Sequence, residues 1–102
     1  MTTDNNQSEF IGVTGSRKNL FIKVTEMKFI SSTGVYIYSF ADRRGNVVKS
    51  WVQEQKHYDW KLELGDCIDI DAYVNKHELN TYTQIRETYI NRIKILENKG
   101  KP

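Results

Sequence analysis

The chain has 102 residues with a formal net charge of +2, so one domain is expected, and so small a charge argues only weakly for phosphate binding; any anion site has to come from how charge is distributed. Hydrophobic residues make up 38% and charged residues 27%, a globular composition, and no apolar run approaches the roughly 18 residues of a membrane span. Cys67 is the single cysteine, which excludes an internal disulfide and a cysteine-based metal site; with no apolar leader behind a basic start, the expected location is cytoplasmic.

Met1 to Glu9 is polar and without periodicity, and is expected to be a flexible lead. Phe10 to Gly15 is a short apolar opening with two glycines. Leu20, Ile22 and Val24 alternate with Phe21, Lys23 and Thr25, which predicts a first strand from Leu20 to Ile30. Its apolar phase then moves to Met27 and Phe29, the mark of a bulge. Ser31-Ser32-Thr33-Gly34 is a turn. Two short strands follow, Val35–Phe40 and Val47–Val52, around Asp42-Arg43-Arg44-Gly45-Asn46. Gln53 to Lys61 has no β-branched residue and suits one or two helical turns, with Trp60 plugging the barrel end beneath them. Ile68, Ile70, Ala72 and Val74 alternate with Cys67, Asp69, Asp71 and Tyr73, a half-buried fourth strand. Asn75 to Thr81 reads as a polar loop, Tyr82 to Leu96 as a long last strand, and residues 97–102 as a polar, basic tail. Five strands with a short helix between the third and fourth have the element order of the OB-fold, a small all-β barrel.

The second and third strands carry the candidate site. If Ala41 pairs with Asn46, Tyr36 lies opposite Trp51 and Tyr38 opposite Lys49. One face of the hairpin is then aliphatic, with Val35, Ile37, Val48 and Val52, and the other is aromatic with a cation. Such a face suits stacked bases beside a phosphate backbone. The competing arrangement turns the aromatic rings into the core, where they bury much area. Lys23 belongs to the neighbouring strand, and Arg43 and Arg44 sit in the hairpin loop, placed for phosphate contact. Asp66, Asp69 and Asp71 lack the glycine and terminal glutamate of a calcium loop, and read as a solvated strand face. No metal or other cofactor is expected. No nucleophile elbow, phosphate-cradling loop or histidine pair suggests an enzyme.

Beyond these residue patterns, the chain resembles the small OB-fold single-stranded DNA-binding proteins of bacterial phages and mobile genetic elements. Gly12-Val13-Thr14-Gly15-Ser16-Arg17 is similar to a G-x-x-G-x-R opening. Phe40-Ala41-Asp42-Arg43-Arg44-Gly45-Asn46 with Trp51 is similar to F-x-D-x-x-G-N followed by tryptophan. Gly65-Asp66 stands at the turn into the fourth strand, and Val74-Asn75-Lys76-His77 precedes Thr88-Tyr89-Ile90-Asn91-Arg92-Ile93-Lys94, which is similar to T-x-I-x-R-x-K. The resemblance spans residues 10–96. It implies sequence-independent capture of single-stranded DNA in replication or transfer of a mobile element, with a homodimer and replication proteins as partners to consider and no membrane. It lacks the acidic tail by which cellular relatives recruit partners. In OB-folds the first and last hairpin loops flank the ligand, so Lys76, His77, Tyr82 and Arg86 join the candidates. Two alternatives share the fold: a single-stranded RNA-binding domain, and a protein-interaction module of a replication complex.

Overall fold

The structure of the protein is a computed structural model and describes residues 8–102. Its elements are β1 (Arg17–Ile30), β2 (Val35–Ala41), β3 (Val47–Gln53), α1 (Glu54–Trp60), β4 (Cys67–Asn80) and β5 (Ile85–Gly100). The strands close into a barrel in the order β1-β2-β3-β5-β4. Every pairing is antiparallel except the β3–β5 seam, which is parallel and spans only Val47–Lys49 against Glu87–Tyr89. This is the OB-type five-stranded barrel expected from the element order.

The alternating residues sort as their pattern predicts. Leu20, Ile22 and Val24 from β1, and Ile68, Ile70 and Ala72 from β4, are buried in one core with Phe40, Val48, Val52 and Ile90, and Val74 is buried as well. β1 pairs with β4 through Lys23 and with β2 from Lys23 onward. Serving two neighbours requires a bend, and a register shift between Val24 and Glu26 supplies it where the apolar phase changes. Seven residues are too few for α1 to persist alone. It is held over the barrel end by His57 and by Trp60, whose ring packs edge-on to Tyr38 at 6.0 Å, and it stops at Lys61 in the left-handed region (φ 53°).

Several boundaries differ from expectation, among them the start of the last strand, which is Ile85 and not Tyr82. The stretch expected as a polar loop after Asn75 is mostly strand: β4 runs to Asn80, and the turn tightens because Asn80 Oδ1 accepts the Tyr82 and Thr83 N–H groups. β5 continues through the expected tail to Gly100, opposite Cys67, and Lys101 is ion-paired with Glu63. Ser8 and Glu9, assigned to a flexible lead, are tied down. Ser8 Oγ donates to the Arg86 carbonyl (2.6 Å) and accepts the Val47 N–H (2.9 Å), and Glu9 N–H donates to Asn46 Oδ1 (2.7 Å). The rest of that lead lies outside the described residues. Among the described residues no helix is long and apolar enough to cross a membrane.

Candidate nucleic-acid interface

The β2–β3 loop decides which side chains share a face. Asp42 Oδ1 accepts the N–H groups of Arg44 and Asn46 (both 2.9 Å), and Asp42 Oδ2 accepts Asn46 Nδ2 (2.9 Å). With its side chain bound at both ends, Asn46 belongs to the loop, and Ala41 pairs with Val47. The expected Ala41–Asn46 register is therefore off by one, and a slip of one residue exchanges faces. Tyr36 now pairs with Val52 and Tyr38 with Ser50, while Trp51 pairs with Ile37 and Lys49 with Ser39. The proposed four-residue face splits: Tyr36 and Tyr38 turn to the core side, and Lys49 and Trp51 turn outward with Val35, Ile37 and Ser39.

On the core side Tyr38 is wholly buried (0% exposed). Its hydroxyl is hydrogen-bonded to Nδ1 of His57 at 2.6 Å. Burial, reinforced by nearby Tyr36, pushes its pKa up to about 12. Tyr36 stacks flat on His57 (3.7 Å, 13°) and meets Phe29 at a tilt, 5.0 Å away. These rings cap the barrel end, and Tyr38, with no exposed surface, offers no face for stacking.

The outer face is organised in three rows running across the strands. The first is Lys28, Ile37 and Trp51, the second Glu26, Ser39, Lys49, Tyr89 and Lys76, and the third Lys23, Ala41, Val47, Glu87 and Glu78. Trp51 is 56% exposed. Glu87 anchors the middle with only 6% of its side chain exposed: it pairs with Lys49 (3.3 Å) and accepts hydrogen bonds from Tyr89 Oη (3.3 Å) and Asn80 Nδ2 (3.3 Å). Burial, then the Glu87 charge, pushes the Tyr89 phenol up to about 12, so it stays a neutral donor. Lys76 sits 5.0 Å over the Tyr89 ring and 2.9 Å from Glu78. The Lys49–Glu87 and Lys76–Glu78 pairs thus leave the middle of the face locally neutral around the Tyr89 ring, while Lys23 and Lys28 at its edge have no carboxylate partner among the described residues. Two long hairpins flank it. The β1–β2 turn lies toward the Trp51 end of β3, and the β4–β5 arm runs past the Val47 end to Tyr82, which is 98% exposed.

The remaining candidates are dispersed. Arg43 lies 5.0 Å over the Phe21 ring, and with Lys23 it lines a cavity of about 330 Å³; Arg44 is exposed at the loop tip. His77 is on β4 and already engaged: its ring stacks on Phe10 (4.7 Å, 7°), and Nε2 meets the Ile11 carbonyl at 3.0 Å. Arg86 is exposed, but alternation puts it on the side of the arm opposite Glu87. Asp71 pairs with Arg17 (2.8 Å) and Asp69 accepts from Asn19 (2.9 Å), so both are used in cross-strand contacts. Ile37, Tyr89 and Lys28 are members of the face that sequence reasoning left out. The correct loop register would have exposed Ile37, whereas Tyr89 depends on the β3–β5 seam, which leaves no local signal. Comparison with known proteins finds no matching family model, no significantly similar curated sequence and no significantly similar solved structure.

Proposed function

We propose that the protein binds single-stranded DNA, largely independently of sequence, by stacking bases on the outer face of β2, β3 and β5 and holding phosphates at the edge. The carrying observation is Trp51, a large aromatic ring left 56% exposed in a strand row beside Ile37 and Lys28. Base–aromatic stacking contributes about 1–3 kcal/mol per base, and every base has a ring face to offer. The neutral centre supports a bound strand whose bases face the sheet, with phosphates near Lys23, Lys28 and the arms. A role in replication or transfer of a mobile element rests on the sequence resemblance alone.

One observation favours the second reading, a protein-interaction module. Lys49 is committed to Glu87 and Lys76 to Glu78, which leaves fewer cations for phosphate. Titration with oligo-dT and with a duplex of equal length, at low and high salt, separates the two while tryptophan fluorescence is followed. Salt-sensitive quenching by oligo-dT alone is the expected result. A folded protein that responds to neither nucleic acid refutes the single-strand reading and leaves the interaction module. Matched ribo-oligonucleotides distinguish RNA, because a site that reads the 2′-hydroxyl prefers it.

A further inference from the structure

The β3–β5 seam ends at Lys49 and Tyr89. Two residues past that last pair, on each strand, stand Trp51 and Asn91. Between them the two backbones separate, and a half-open cavity of about 180 Å³ enters the barrel wall, lined by Ser50, Trp51, Lys56, Trp60 and Asn91. A cavity of about 150 Å³ admits one benzene ring, so this one matches a single six-membered ring and is small for a fused purine. Asn91 Oδ1 is the one buried side-chain polar atom without a hydrogen-bond partner among the described residues. An orphaned buried acceptor is unfavourable until a donor reaches it. Trp51 offers a ring face at the mouth, and Lys56 brings a positive charge from the exposed side of α1.

We infer that this cleft is a subsite for one pyrimidine base of the bound strand. The base enters the seam beside Trp51 and meets the Asn91 carboxamide with its hydrogen-bonding edge. Both pyrimidines carry a donor there, the N3–H of thymine and the N4 amine of cytosine; adenine has one too in its N6 amine, so the preference comes from ring size, which keeps the purine edge from reaching Asn91. With Oδ1 accepting the pyrimidine donor, the carboxamide NH2 group beside it donates to the adjacent acceptor, a carbonyl oxygen of thymine or N3 of cytosine. The backbone phosphate of the inserted nucleotide lies toward Lys56. The inference rests on the single-strand reading and adds to it a position at which pyrimidines are preferred.

The test compares an all-adenine oligonucleotide, within the roughly 4–16 nucleotides that one OB barrel covers, with the same oligonucleotide carrying one central thymine or cytosine. One added hydrogen bond with matched shape predicts about five- to tenfold tighter binding of the pyrimidine-containing strands. Asn91→Leu, which keeps the branched shape and removes the amide, is expected to erase that increment and leave all-adenine binding unchanged. Equal affinities in the unsubstituted protein, or an increment that survives Asn91→Leu, overturn the subsite and leave general stacking intact. Absence of binding to every oligonucleotide overturns the single-strand reading itself. Should Asn91→Leu fail to fold, the NMR signal of the Asn91 side-chain amide in the unsubstituted protein decides: it is expected to move on adding the thymine strand and not the adenine strand. A signal that ignores both also overturns the subsite.

Discussion

Tyr38→Ala and Trp51→Ala are expected to separate stability from binding. Tyr38 has no exposed surface and packs against the rings of Tyr36, Phe40, His57 and Trp60. Truncating a core aromatic to alanine costs about 3–5 kcal/mol, cavity included. For a domain near this size each kcal/mol lowers Tm by at least about 4 °C, so Tyr38→Ala should lower Tm on the order of 15 °C. Trp51 lies on the other side of the same sheet, more than half exposed. A surface change of that kind stays within about 0.5 kcal/mol, a Tm shift of only about 2–4 °C. Its cost appears in affinity, where losing one stacking platform removes about 1–3 kcal/mol, a factor of about 5–150. Thermal melts followed by circular dichroism read the first quantity, and anisotropy of a dye-labelled oligo-dT reads the second. If Trp51→Ala melts as early as Tyr38→Ala, both rings are in the core and the β2–β3 register described above is wrong.

Three further outcomes are expected. The Tyr38 phenol ionises near pH 10 when unfolded and only at about 12 when folded, so its contribution, on the order of 2–3 kcal/mol, is complete below pH 10 and is lost as pH rises through 12; denaturant melts of Tyr38→Phe should show a shallower alkaline loss, and an unchanged slope refutes the assignment. Asp66 Oδ2 accepts the Glu63 N–H (2.9 Å) and Asn98 Nδ2 (3.1 Å); chiefly through that backbone bond its carboxyl is held below the usual range, so its contribution is present above an unfolded pKa of about 4 and fades as pH falls through the lower folded value, and Asp66→Asn melts should lose this acid limb. Oligo-dT affinity should fall with salt by about 0.7 log units per log unit for each neutralised phosphate, and Lys28→Ala should reduce that slope by about one such step, whereas an unchanged slope removes Lys28 from the phosphate path.

What was legible in the sequence is what depends on neighbours in sequence. The Ile68-Ile70-Ala72-Val74 alternation and the phase change before Met27 report local backbone geometry directly, and both appear in the barrel as expected. The hairpin register did not, because it depends on Asn46, whose side chain is shared between Asp42 and the Glu9 backbone. Nothing within the hairpin reveals that second partner. His77 is similar: its stacking partner Phe10 and its acceptor Ile11 come from the far end of the chain. Alternation along β3 is enough to turn Trp51 and Lys49 to the same face, but which side chains of β2 lie beside them depends on the loop register. Tyr89 joins that face only because β5 returns parallel to β3.

The hydroxyl of Ser8 touches two strands that no hairpin connects, β3 through Val47 and β5 through Arg86. Ser8 and Arg86 are 78 positions apart. During synthesis Ser8 emerges ahead of β1, and one of its two anchors is made only when β5 begins. Ring closure therefore waits for β5, and such distant contacts slow folding. A ribosome-bound chain stopped before Ile85 lacks the seam, the Ser8 bridge and the Glu87 anchor together, so the barrel is acquired after its first four strands have left the exit tunnel and not strand by strand.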